Sequence, residues 1–366
     1  GLWVNSETDG ATEGAGLADY TAKLTRIGMT RSATGGPVLE AAPVADTSAG
    51  SSGFSTTYTL EADVDEYDIV KYNGSTLAVA PSRSGCCFVV EPRIASDALP
   101  PPPEGQGESE IALYQTDPGS GSATAAGIIA LQEGQTAEGM YLSESRLQVL
   151  LSTAWWGAFG EQFTTSDGWL DEQVSLLNYD LTDVENPVLT NTMTVEGALI
   201  ASRRAGDEIF VVSRHAPNIE GLMSYPQTEE EVANNEALLA EASDSDILPE
   251  VRINGEIIEP LTLDSCYRVD PEHPLAEPAP SDSTLTTFLA ISAGTGEVLR
   301  AACTFEPVSG IYMGSSFIAL THVRWDLEER GTLIHLMARD SFDYLGSELI
   351  DGDLYSGGNA DFRISE

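Results

Sequence analysis

Lysine is nearly absent from this chain. Of 366 residues only Lys23 and Lys71 are lysines, and lysine and arginine together number 17 against 58 aspartates and glutamates. The net charge of −41 excludes a general affinity for nucleic acid, because phosphate contacts need clustered cations. It also disfavours docking on anionic lipid. Long apolar runs are missing too: nothing approaches the ~20 residues that a membrane-spanning helix needs. Histidine is confined to His215, His273, His322 and His335, which leaves few bases for nucleophilic catalysis. Neither a Gly-x-Ser-x-Gly elbow nor a glycine-rich phosphate loop occurs. Cysteine is limited to Cys86, Cys87, Cys266 and Cys303, without CxxC spacing or a nearby histidine, so no zinc site is expected. An even number of cysteines fits disulfides in an oxidising compartment. The chain begins Gly1-Leu2-Trp3 without a methionine or a signal peptide, and it reads as a mature or trimmed product.

Apolar content of 42% and aromatics at 7% are normal for a folded protein. Carboxylates in such excess make a solvated surface, tolerable where counter-ions screen them. Cation binding is the sharper alternative. Residues 1–54, rich in Gly, Ala, Ser and Thr, read as a loose arm with one short amphipathic run from Leu17 to Ile27. Pro100 to Pro103 mark a stiff linker, and residues 117–127, rich in Gly, Ser and Ala, read as a flexible loop.

Between these stretches lie short strand-like runs, and they align with one another. A small or polar turn followed by alternating apolar residues occurs at 72–80, 142–150, 204–212 and 313–320. Each is followed by a strand that runs into an Asp-, Pro- or Gly-containing turn, at 110–118, 174–183, 286–296 and 332–340. A third strand closes the unit, clearest from Val188 to Val195. The pattern predicts an all-β protein, a β-propeller of four blade-like units at 60–135, 136–197, 198–308 and 309–354 within a domain over 55–366. Residues 355–366 read as the start of a fifth unit, so the ring is expected to be incomplete. A two-sheet sandwich is the competing architecture. One helical insertion is predicted over 228–243, where Thr228-Glu229-Glu230-Glu231 forms a capping box. Its place is expected between the inner and second strands of the third unit.

These motifs resemble a known family. The run Leu60-Glu61-Ala62-Asp63-Val64-Asp65-Glu66-Tyr67-Asp68-Ile69-Val70-Lys71-Tyr72-Asn73-Gly74 is similar to the opening motif of secreted bacterial and archaeal proteins with a β-propeller domain distantly related to WD40 repeats. Glu138 to Leu142, Tyr179 to Asp183 with Asn186-Pro187, Ser202 to Asp207, Leu263 to Arg268 and Thr332 to His335 extend the similarity from about residue 55 to the end, in order. The resemblance implies a propeller fold and an exported protein. It brings no activity and no catalytic residues.

Candidate sites are few. Asp351-Gly352-Asp353 with Asn359 and Asp361 offers hard oxygen ligands of the kind calcium prefers, although a plain acidic turn is the favoured reading. Trp155 and Trp156 follow a strand and open a loop, where they would serve either as a ligand-binding wall or as packing between units. His335 lies inside a strand and reads as a structural histidine. Cys266 and Cys303 are the expected disulfide, with Cys86 or Cys87 as competing partners. The expected function is a non-catalytic scaffold for a protein or envelope component, secreted, periplasmic or held at the cell envelope. A calcium-dependent hydrolase or lactonase-like enzyme is the alternative.

Overall fold

A computed structural model describes residues 3–4, 64–81, 110–132, 135–153, 172–217, 219–222, 228–270, 272–275, 284–306, 308, 310–324 and 331–352. Two short strands come first, β1 (Trp3–Val4) and β2 (Val64–Glu66). Antiparallel sheets then follow in chain order. The first holds β3 (Val70–Tyr72), β4 (Thr76–Val79), β5 (Glu110–Asp117) and β6 (Ser122–Ala130), paired in that sequence. The second is built on β7 (Thr136–Leu142), β8 (Arg146–Ser152), β9 (Gln173–Asp180) and β10 (Val188–Glu196). The third begins with β11 (Ala198–Ala205) and β12 (Glu208–His215). An insertion then carries β13 (Val251–Ile253), β14 (Glu256–Ile258) and β15 (Arg268–Val269). The third sheet resumes with β16 (Leu285–Ser292) and β17 (Val298–Thr304). The fourth contains β18 (Gly310–Met313), β19 (Phe317–Arg324), β20 (Gly331–Ala338) and β21 (Tyr344–Asp351).

The turn-plus-apolar segments fall on the hairpins that open each sheet. At the first, Asn73 Oδ1 accepts from the Ser75 and Thr76 amides at 3.1 and 2.8 Å, and Gly74 takes φ of 99°. That side-chain turn reverses the chain and sets the β3–β4 register. Each unit therefore has one more strand than the three counted in sequence: the strand before the turn, only three or four residues long in β3 and β18, pairs with the one after it. The supposed loop at 117–127 is a correction: β6 starts at Ser122. Its small residues are poor strand formers alone, but pairing with β5 holds them extended.

The sheets pack face to face. Between the first and second lie Ala78, Ile111, Leu113, Met140, Leu147 and Val149. Tyr141, Leu150, Leu176, Ile209, Val211 and Leu289 fill the next interface, and Phe210, Phe288, Ile318, Leu320, Leu333 and Met337 the one after. Middle strands are thus covered on both faces. That is why β8 is buried at every position after Arg146. Each such side chain contributes about 1.5–3 kcal/mol when fully buried. Successive antiparallel sheets with apolar faces on both sides are the blades of a propeller. Among the described residues no strand of the fourth sheet pairs with the first.

The helical insertion forms α1 (Glu229–Glu241), with the Thr228–Glu231 capping box present. It lies between β12 and β16, the second and third strands of its sheet, one position further out than expected. A second short helix, α2 (Asp244–Ile247), follows, opened by a capping box between Ser243 and Asp246. The hairpin β13–β14 leaves its unit and pairs Val251–Ile253 with Val195–Met193 of β10, extending the second sheet outward.

Candidate functional site

The opening motif occupies the inner edge, where the first strands of neighbouring sheets approach one another. β2 pairs antiparallel with β11, setting Glu66 opposite Arg203 and Val64 opposite Ala205. Two residues later Asp68 bridges to Met140 of β7, with backbone bonds of 3.3 and 2.9 Å. The chain then turns into β3. One segment therefore touches the third, second and first sheets in turn. Gly139 permits the approach, since a β-carbon there would stand 2.6 Å from the Tyr67 ring.

The charged groups of this segment face one another. Lys71, one of the two lysines, is 5% exposed, and its ammonium donates to Asp65 Oδ1 at 2.7 Å and to the Glu66 carbonyl at 2.5 Å. It also lies 5.7 Å from the centre of the Tyr141 ring. Arg203, 4% exposed, reaches Glu66 Oε1 at 3.3 Å and donates to the Ser202 carbonyl at 2.7 Å. Burial raises the Glu66 carboxyl above its usual range, against the opposing pull of Arg203. Burial likewise raises the Tyr141 hydroxyl well above its ordinary value, and that hydroxyl donates to Ser202 Oγ at 2.9 Å. The cluster ties three sheets together. A charge buried without its partner would cost several kcal/mol, so its members stabilise the fold only as a set.

A second polar cluster lies between the third and fourth sheets. Glu306 is 6% exposed, His322 4% and His335 1%. Glu306 Oε2 stands 3.1 Å from His335 Nε2, and His335 Nδ1 is 2.7 Å from Ser347 Oγ. The same Ser347 hydroxyl meets the Tyr344 hydroxyl at 2.8 Å. Carboxylate, imidazole and hydroxyl stand in the order that activates a nucleophile. A separate cavity between these sheets, lined by Arg203, Phe210, Phe288, Met313, Ile318 and Phe342 among others, is about 10 Å³, a water's volume, and none of the cluster's residues lines it. Ser347 gives the buried His335 ring a polar partner inside this apolar interface. Sequence reading placed His335 in its strand, but Glu306 gave no signal, because only the register of β19, β20 and β21 brings its partners together.

Cys266 and Cys303 form a disulfide with a Cα separation of 4.5 Å, fastening the turn between β14 and β15 to β17. Asp351 lies exposed at the end of β21, opposite Gly331. Asp353, Asp361 and Asn359 lie outside the described residues, as do Trp155, Trp156, Cys86 and Cys87. No described helix is long and apolar enough to cross a membrane. At the rims the distribution is different: Ile128 on β6, Val188 and Leu189 on β10, Ile257 on β14, Leu299 on β17 and Leu345 on β21 are each 45–58% exposed. Each of the four larger sheets thus presents at least one large apolar side chain from an outer strand. A search of curated proteins found no match. A family model described as a beta propeller domain matches residues 54–366. With the stacked antiparallel sheets, that match places the chain in the β-propeller domain family.

Proposed function

We propose that this protein is a non-catalytic binding scaffold acting outside the cytoplasm, exported or held at the cell envelope, which engages a protein or envelope component through the rims of its blades. The observation that carries this reading is the division of roles between edge and centre. The inner edge is filled by the chain's own segment, with Lys71 and Arg203 turned onto its carboxylates. The outer strands instead carry six of the seven large apolar residues exposed among the described ones, Val70 on β3 being the seventh. Each blade thereby offers an apolar contact point at an otherwise polar rim, which a partner spanning the rim would cover. The Cys266–Cys303 disulfide supports an oxidising compartment.

The test compares the wild-type protein with the triple variant Ile128→Ser, Val188→Ser, Leu189→Ser. Co-sedimentation with isolated envelope material should be saturable and should be lost in the variant while its melting temperature is retained. Equal binding by both proteins would remove the rim from the reading. Calcium-dependent turnover of ester or lactone substrates by the purified protein would replace the scaffold with the hydrolase.

A further inference from the structure

Exposed sheet edges invite pairing with other chains, and folded proteins blunt them with charge, proline, short length or a covering strand. Most outer edges here follow that rule. β10 is partly covered by β13, and the outermost β14 is only three residues long and carries Glu256. β17 carries Arg300, paired with Glu208, and Tyr267 bridges its end at Thr304. β21 carries Glu348 and Asp351. β6 is different. Its nine residues, Ser-Ala-Thr-Ala-Ala-Gly-Ile-Ile-Ala, include no charge and no proline. Ser122 to Ala125, Ile128 and Ala130 are exposed, and among the described residues β6 pairs only with β5. A bulge at Ala126 is its only irregularity.

The surroundings of β6 specify what could lie there. Register sets Asp117 opposite Ser122 and Glu110 opposite Ala130, so an exposed carboxylate stands at each end of a neutral strand. Hydrogen bonds from Ser120 and Gly119 hold the Asp117 carboxyl below its usual range, keeping it anionic. Gly127 touches the second sheet's turn, since a β-carbon there would meet the Val184 carbonyl at 2.2 Å and Pro187 at 3.4 Å. Ile128, between Gly127 and Ile129, lies on the opposite face of β6 from the second sheet and is exposed, so a large apolar side chain stands beside the edge.

We infer that β6 is a strand-addition site for an extended peptide segment of a partner, neutral and β-branched in its middle and cationic at both ends. The inference rests on the scaffold reading and names its partner chemistry. Main-chain hydrogen bonds supply the affinity, Ile128 offers an apolar contact to one side chain, and Asp117 and Glu110 select the flanking cations. A second copy of this chain is the poorer occupant, because it brings the same acidic flanks and a further charge of −41.

The probe is a fluorescent peptide of β6's length, alternating threonine and valine, with two lysines at each end. Fluorescence anisotropy with the intact protein should show saturable binding. Methylating alternate backbone amides of the peptide should weaken binding about tenfold or more, the loss expected from two or three main-chain hydrogen bonds. Replacing the lysines by glutamates should abolish binding, and the variant Glu110→Gln, Asp117→Asn should weaken it. A photo-crosslinker at the peptide's centre should attach within residues 122–130. Equal binding of the methylated peptide would overturn the inference, leaving charge alone as the cause. Crosslinks elsewhere on the rim would overturn it while leaving the scaffold reading standing. Self-association without peptide uptake would give the edge to a second copy and overturn it as well.

Discussion

Lys71 is rare in kind and central in place. Its removal leaves Asp65 and Glu66 without their shared cation at the inner edge, so Lys71→Met should lower the free energy of unfolding by about 3 kcal/mol in urea titrations. Adding Asp65→Asn should recover part of the loss, and a purely additive double variant would mean that the pair is not coupled. Two other buried groups give opposite pH slopes. Burial raises Glu172 to about 7, whereas its unfolded value is 4.5. The folded state therefore holds this proton more tightly, and stability should fall as pH rises from 4.5 to about 7. Burial pushes His215 down to about 4 from 6.5, so the unfolded chain takes up that proton first and stability should fall as pH drops through this window. Glu172→Gln should remove the first slope and His215→Gln the second, read from urea midpoints across pH. A variant that leaves its slope unchanged would show that another group titrates there.

At the scale of elements, close approach and covalent fastening do the positioning. Gly139→Ala would drive a methyl group into Tyr67 and the Asp68 backbone, displacing the inner segment at a cost of about 1–3 kcal/mol. The loss should appear in thermal melts, with faster amide exchange at Asp68 and Met140. Reduction of Cys266–Cys303 opens a loop of sequence separation 37, which the chain-entropy model values at about 4 kcal/mol. Cys303→Ser should lower the melting temperature accordingly and make it insensitive to reductant. The hairpins that open each sheet were legible in sequence because each joins a local turn to alternating apolar residues, as Asn73-Gly74 does before Thr76 to Val79. So was α1, through Thr228 and Glu231. β2, β13 and β14 were not: strands of three residues with acidic or basic members carry little pattern, and β11 and β10, the partners of β2 and β13, lie far away in the chain. β6 was hidden by composition, since Ser, Ala and Gly signal a loop until β5 is set beside them. The Glu306 cluster and the inner ion pairs are products of tertiary register, which no local spacing encodes.

Across the whole molecule charge sets the response to solution conditions. With 58 carboxylates against 17 cations, monovalent salt should raise the melting temperature by screening self-repulsion over a Debye length of about 10 Å at 0.1 M. Calcium held by Asp351, Asp353 and Asp361 remains a proposal with its own signature. It would raise the melting temperature beyond a sodium control of equal ionic strength, and Asp353→Asn would erase that excess. A response to calcium no larger than its ionic strength warrants would leave the carboxylates as solvated surface. The segment at the inner edge also imposes a timetable. Val64 to Glu66 leave the ribosome, or an export channel, before any residue of β11 exists to pair with them. The first two sheets can form locally, but their shared inner seam stays unlatched until the third arrives. Folding should therefore finish with a late, slow step that joins distant parts of the chain, as high contact order demands. In refolding followed by pulsed amide exchange, protection at Asp65 and Glu66 should lag that of β8 and β9, so the motif met earliest in the sequence would be among the last to take its place.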